Sequence, residues 1–381
     1  MQKDFHYYCI AVLAKAAGFN KKDALIIGYA SQYVDDATES ELIRLQVPRL
    51  IKFDPVRTAY AGLDLTGSLT WSAQKRVFIP FHFIPPRPFR PKESTTFSFV
   101  TQPAAGEQNG GEKSFAELLL EEAASESQRN RWRRLCRIGV ALHTYADTWA
   151  HQRFSGRHNR EENDVENIHV YDRDTGKYKR LKLENLILDA LPQVGHAEAG
   201  YFPDLAFQKW KYDSRQSPPA VKRDNVELFL KAAEAIYDAL VPLKKIRPDE
   251  PIPWETIAPD IRQLFEGEHI VAAETADRLM MRAYQRYHAS DLGERCKKWQ
   301  EKFDHLFRPY PAGHSYNYDH LKWRNEALKG DTAWDSWSQR EWDQMRPMEL
   351  VESEAEFWNS LWVHFHRAAL RQRHLALENM P

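Results

Sequence analysis

Only three cysteines occur in the 381 residues, Cys9, Cys136 and Cys296, and no two of them form a CxxC pair. That spacing argues against a disulfide framework and fits a reducing compartment. Charge of one sign is also lacking: 53 basic and 54 acidic residues leave a formal net charge of −1. Such a balance gives no global field to draw in nucleic acid or an anionic membrane, though a local basic groove stays open. No apolar run approaches the roughly 20 residues that span a bilayer. The opening MQKDFHYYCIAVLAKAAGF carries Asp4, His6 and Lys15 and lacks the apolar core and small-residue cleavage site of a signal peptide. The expectation is a cytoplasmic protein without a transmembrane segment, with export by a route that needs no signal peptide left open. Dinucleotide-binding GxGxxG, Walker, GxSxG and zinc-finger spacings are absent, as is any internal repeat.

What is present is 43% hydrophobic and 28% charged, enough for a real core. Helical periodicity dominates and strand signals are few, so the expected class is mainly α. The pattern predicts helices over 4–18, with Asp4 as cap and Gly18 as stop, and over 22–34. A Pro-, Thr- and Gly-rich stretch, 84–112, reads as a long loop. The longest helical pattern follows at 114–154, broken near Gln128. Residues 155–182 are polar, with a small hairpin expected around Asp174–Gly176. Helices resume at 183–191. KKIRPDEPIPW, 244–254, is the best candidate linker. Beyond it come helices near 255–265, 268–290 and 291–307, an irregular Trp- and Tyr-rich stretch at 308–348, and a last helix at 353–378. The expected organisation is a core at 1–243, with loop insertions at 84–112 and 155–182, and a C-terminal helical extension at 244–381 packed on it, the two forming either separate units or one continuous domain.

The chemistry concentrates in ALHTYADTWAHQ, 141–152. His143, Asp147 and His151 are four apart. A helix turns 100° per residue, so each step of four drifts only about 40°, and all three lie on one face. Imidazole and carboxylate are the common ligands of zinc and related first-row metals. Val140, Ala141, Ala146 and Ala150 mark this helix as buried, and a buried aspartate needs a partner such as a metal. The bland alternative is that the three groups bond to each other and the core. Upstream, Asp35 and Asp36 are adjacent acids at the end of an apolar helix. They repel unless a cation sits nearby, or unless that end is simply solvated. His6 lies in the aromatic stretch DFHYY. In VGHAEAGYFPDLAF, His196 is followed by Glu198 and Asp204. His82 lies in an apolar, strand-like run, IPFHFIPP, and is the weaker candidate. His364, His366 and His374 fall on the last helix, which reads first as a basic amphipathic segment.

LHTYADTWAHQ resembles the HxxxD…H core of the zinc-dependent phospholipase C and S1/P1 nuclease superfamily, and is closer still to the LHTxxDxxxH segment of HET-C-like proteins. With DFHYY, SQYVDDATE and GHAEAGYFPDL, the first 215 residues or so look like a bacterial family of the same general type. The resemblance implies a multi-helix bundle with long irregular loops holding two or three zinc ions. It implies that His143 and Asp147 are the HxxxD pair and that His151 is the following histidine. Asp35 or Asp36 would be the upstream bridging aspartate, His6 the N-terminal histidine and His196 the late one. This chain departs from the superfamily in three ways. Members of the superfamily use the amino group of a mature N-terminal tryptophan, where this chain begins MQKDF. Asp147 and His151 are four apart instead of six. Gly200 stands where an acid is expected after His196, so Asp204 or Glu198 would substitute, and a two-metal site is expected over a full cluster of three.

The implied function is hydrolysis of phosphodiesters by a metal-activated water, with Asp35 or Asp36 orienting the nucleophile and Zn2+, Mn2+ or another divalent ion as cofactor. A phospholipid or small diester is favoured over nucleic acid, since the chain has 12 Trp, 16 Tyr and 19 Phe and no obvious basic stripe. Two alternatives remain: a non-catalytic metal clamp in a binding protein, and a nuclease. An HD-type phosphohydrolase ranks last, because no His-Asp doublet occurs.

Overall fold

The computed structural model describes residues 1–39, 42–47, 51–60, 69–91, 97–104, 112–173, 175–180, 194–215, 220–243, 249–267, 280–306, 316–329 and 348–381, of which 280–291 are described by their backbone alone. The chain is mainly helical. A π-helical turn, Asp4–Cys9, runs straight into α1, Ile10–Ala16. Next come α2, Lys21–Asp36, and, after a long irregular stretch, α3, Phe115–Ala124, and α4, Arg131–Ala150. The C-terminal half contributes α5, Asn225–Leu240, α6, Trp254–Glu266, α7, Met280–Leu306, and α8, Leu361–Glu378. Helix starts follow side-chain chemistry: the Asn20 and Ser360 side chains accept from backbone N–H groups of the first turn, and Ser114 and Glu117 form a reciprocal capping box.

Two small antiparallel sheets complete the described residues. Strands β1, Ile43–Leu45, and β2, Ile51–Phe53, pair with each other. The second sheet has four strands in the order β4-β3-β5-β6: β3 is Glu166–Asp172, β4 Lys177–Arg180, β5 Lys209–Asp213 and β6 Val221–Asp224. The hairpin expected around Asp174–Gly176 is thus β3–β4, while β5 and β6, hidden in a Lys-rich polar stretch, were not expected. Nor was α5. The expected helix at 183–191, residues 268–279 of the expected helix at 268–290, and most of 308–348 lie outside the described residues. His82 corrects a local expectation: the run before it is helical, a π-turn at Gln74–Phe78 followed by Ile79–Phe81, and His82 terminates it.

Close helix contact positions the site. A Cβ on Gly139 of α4 would lie 2.4 Å from the Ile27 carbonyl oxygen and 2.6 Å from Ala30 Cβ of α2. A Cβ on Gly28 would lie 2.6 Å from the Tyr7 carbonyl oxygen. Glycine at both points lets the N-terminal helix, α2 and α4 touch through backbone. From the far end of the chain, Gln372 of α8 donates to Thr144 Oγ1 at 2.7 Å and to the Pro80 carbonyl at 3.0 Å. One apolar core runs from Met1 to Met380, and a smaller one under the four-stranded sheet contains Phe83, Phe154, Phe202, Trp210 and Tyr212. Cys9, Cys136 and Cys296 are buried free thiols. Among the described residues no helix is long and apolar enough to cross a membrane.

Two stability predictions follow from this packing. Gly139→Ala forces α2 and α4 apart at a backbone contact. It is expected to cost about 1–3 kcal/mol, seen as a lower midpoint in thermal unfolding; an unchanged midpoint contradicts the contact. His366 on α8 is buried, and its Nδ1 accepts from the Val56 N–H at 3.0 Å. Burial, with help from Arg373, pushes the imidazole down to about 3. A depressed folded-state value means the unfolded chain takes the proton first. The stability held by neutral His366 is therefore complete above its ordinary value near 6.5 and is lost as pH falls from there toward 3. The acid limb of a stability-versus-pH curve should flatten in His366→Asn, which keeps an acceptor without the titration.

Candidate metal centre

Asp147 is the centre of the arrangement. It sits on the last turn of α4 and is 1% exposed. Its Oδ1 lies 3.1 Å from His6 Nε2 and 2.7 Å from the Met1 α-amino nitrogen. Its Oδ2 lies 3.2 Å from both His82 Nδ1 and His143 Nε2. Five cation-capable groups around one buried carboxylate hold it well below the usual range: burial opposes this, but His151, the Met1 ammonium, His143 and His6 outweigh burial.

Three groups of ligand-type atoms form around this residue: His6, His143 and Asp147; Asp35, His82 and His143; and His151, His196 and Asp204. Within each group the atoms lie within 4.8 Å of one another. In the second, His82 Nδ1 and His143 Nε2 are 3.1 Å apart, and Asp35 Oδ1 is 3.8 and 3.6 Å from them. In the third, Asp204 Oδ1 lies 3.0 Å from His151 Nε2 and Oδ2 lies 3.4 Å from His196 Nε2. Neighbouring ligands on a tetrahedral zinc are about 3.3 Å apart, given bonds of about 2.0–2.1 Å. The spacing fits a cation.

Local structure explains how each group arrives. His143 and Asp147 are one helical turn apart on α4, and His151 caps that helix, its N–H donating to the Asp147 carbonyl at 2.8 Å. His6 is borne by the N-terminal π-turn and His82 follows the π-turn at Gln74–Phe78; such turns recur at functional sites. Asp35 ends α2. Two 3-10 turns, Ala197–Ala199 and Phe202–Asp204, fold the chain back so that Asp204 meets His196.

The donor atoms are also fixed for metal. A carbonyl only accepts, so the His151 nitrogen 2.9 Å from the His82 carbonyl, Nδ1, carries a proton. His196 Nδ1 donates likewise to the Gly200 carbonyl at 2.9 Å, and His82 Nε2 to the Thr58 carbonyl at 2.9 Å. Burial lowers the His196 imidazole to about 4. It is therefore neutral near pH 7 and turns a lone pair toward the Asp204 carboxylate. That is a repulsion which a cation between them removes. His6 is also pushed well below its ordinary value, by burial, His143 and the Met1 ammonium. His82 is raised, because Asp147 and Asp35 overcome its burial.

Exposure grades across the site. His6, His143 and Asp147 side chains are 0–1% exposed, whereas His82 is 12%, Asp204 11%, His196 18% and Asp35 33% exposed. The open edge is therefore Asp35.

Eight of the ten expected residues come together: His6, Asp35, His82, His143, Asp147, His151, His196 and Asp204. Asp36 does not join them, for its carboxylate accepts from Tyr318 at 2.7 Å and Gln32 at 3.0 Å. Glu198 is also elsewhere, accepting from the Val165 N–H at 3.1 Å. Two of the three groups share His143. The Met1 α-amino group, which the sequence did not single out, is buried in the site. It is pushed up to about 11: burial lowers it, but Asp147, Asp204 and Asp35 together prevail.

No curated protein and no solved structure matches the chain. Residues 1–380 match the family of unknown function DUF6765, and the chain belongs to that family.

Proposed function

We propose that this chain is a metal-dependent hydrolase of phosphodiesters, akin in chemistry to the zinc-dependent phospholipase C and S1/P1 nuclease superfamily. The observation that supports it most is the set of three His/Asp groups sharing one buried region, with Asp35 on its open side. Nitrogen and carboxylate donors without cysteine suit Zn2+, and also Mn2+ or another borderline divalent ion. Ions held there would lower the pKa of water and take up charge on phosphoryl oxygens.

The protein's own part is positional. The Thr58, His82 and Gly200 carbonyls hold the imidazoles of His82, His151 and His196 in orientation. Asp147 anchors the buried side. Asp35, a third exposed, would accept a hydrogen bond from an attacking water and align it with an incoming diester. An aromatic-rich chain without a global charge favours a phospholipid or small diester over nucleic acid.

The competing reading, a closed structural clamp, draws on the complete burial of His6, His143 and Asp147. A chromogenic phosphodiester separates the two. Hydrolysis that disappears with a chelator and returns with added Zn2+ or Mn2+, in a protein that stays folded, supports the enzyme. A chelator that unfolds the chain, with no turnover on phospholipid, nucleic-acid or generic diesters, supports the clamp.

A further inference from the structure

The third group has a neighbour that carries no polar chemistry. The Phe83 ring stacks on the His151 imidazole, centroids 4.7 Å apart and planes 21° apart, and lies 5.9 Å from that of His196. The two imidazoles are themselves 4.5 Å apart. Phe83 is buried, and its N–H donates to the Phe78 carbonyl at 3.0 Å, which ties its backbone to the π-turn before His82. Two glycines leave room for it. A Cβ on Gly195, the residue before His196, would lie 2.3 Å from Phe83 Cζ, and one on Gly156 would lie 3.1 Å from Phe83 Cβ. Gly195 also has φ +61°, a region that suits glycine. Its N–H donates to the Ser155 carbonyl at 3.0 Å.

At Nδ1, His151 and His196 each bond to one carbonyl, and at Nε2 each faces the Asp204 carboxylate, His151 at 3.0 Å and His196 at 3.4 Å. The carbonyl bond fixes which nitrogen is protonated. Contacts at the two ring nitrogens set the in-plane direction of the ring and constrain its tilt about the axis through them much less. A flat aromatic face against the imidazole removes that tilt, because tilting opens a void on one edge and a clash on the other. Ligand affinity depends on the lone pair pointing at the ion, so what fixes the ring plane tunes the site.

We propose that Phe83 is a positioning residue: seated in the space that Gly195 leaves, it sets the planes of His151 and His196 and so the metal affinity of the third group. This rests on the reading of that group as a metal site. It predicts a selective effect, because the groups built on His6, His143, Asp147, Asp35 and His82 have no ring contact with Phe83 among the described residues.

The test uses the full chain and zinc alone as probe, titrated against a chromogenic chelator, with elemental analysis for stoichiometry. Phe83→Leu removes the flat face. Gly195→Ala puts a Cβ 2.3 Å from Phe83 Cζ and so displaces the ring from its seat. Each is expected to weaken one zinc per chain by about 10–100-fold while the remaining zinc binds as in the wild type. Substituting Co2+ should show the loss of one set of visible bands and retention of the rest. A merely structural role would lower the melting temperature and leave the zinc affinities of the folded protein unchanged. Wild-type affinity in both variants, or loss of all zinc together, overturns the proposal. Should Phe83→Leu fail to fold, Gly195→Ala and the milder Phe83→Met decide. A wild type that binds no zinc strikes the metal reading itself, and is distinguishable because it precedes any variant.

Discussion

Asp147→Ala is expected to abolish metal binding at the group it forms with His6 and His143, to weaken the neighbouring group whose His82 and His143 it touches, and to destabilise the fold by about 3–5 kcal/mol. The carboxylate faces the Met1 ammonium, His6, His82 and His143 within 3.2 Å. Removing it strips His6 of its carboxylate partner and leaves the Met1 ammonium only Asp204, at 3.1 Å, and His82 and His143 only Asp35, at 3.8 and 3.6 Å. Two effects therefore coincide: a ligand is lost and buried charge loses its closest partner. Asp147→Asn separates them. It keeps the shape and part of the hydrogen bonding, so it should fold better than the alanine variant while still binding metal poorly. Elemental analysis and thermal unfolding of both variants check this. A folded Asp147→Ala protein with its full metal complement contradicts the account.

The second large effect is on turnover. Asp35 is the most exposed of the assembled groups and lies 3.6–3.8 Å from His143 and His82. Asparagine there retains size and loses the negative charge that orients water and balances the ions. Asp35→Asn should lower kcat on a phosphodiester by about a hundredfold or more, with a smaller change in KM, because the carboxylate acts on the reacting water rather than on substrate binding. Asp36→Asn is the control: its carboxylate is engaged by Tyr318 and Gln32 and should cost little turnover. Equal losses in both variants, or less than a threefold loss in Asp35→Asn, contradict the assignment.

Much of this was legible in the sequence for a simple reason. A helix converts a spacing of four into a shared face, so His143 and Asp147 declared themselves. The long periodic segments α2 and α4 were equally readable from their apolar spacing and caps. Other parts depend on tertiary approach, which no local pattern encodes. Choosing between Asp35 and Asp36 required knowing that Tyr318, almost 300 residues away, takes Asp36. His82 looked like part of a strand because IPFHFIPP is apolar and ends in prolines; the helical turn before it comes from packing against α4 and α8. Glu198 and Asp204 are both acids close behind His196, and two short 3-10 turns decide between them. The Met1 amine carries no side-chain signature at all. Strands β5 and β6 were missed because lysines alternate with their buried Trp210, Tyr212 and Arg223, which masks the apolar face.

The central claim is that these His/Asp groups hold metal, and metal content tests it most directly. Protein purified without chelators, exchanged into metal-free buffer and analysed by elemental mass spectrometry should retain two to three atoms of a divalent metal per chain. His143→Ala, which belongs to two groups, should lose more of it than His151→Ala, which belongs to one. Sub-stoichiometric metal in the wild type, unchanged after incubation with Zn2+ or Mn2+ and repeated exchange, contradicts the account.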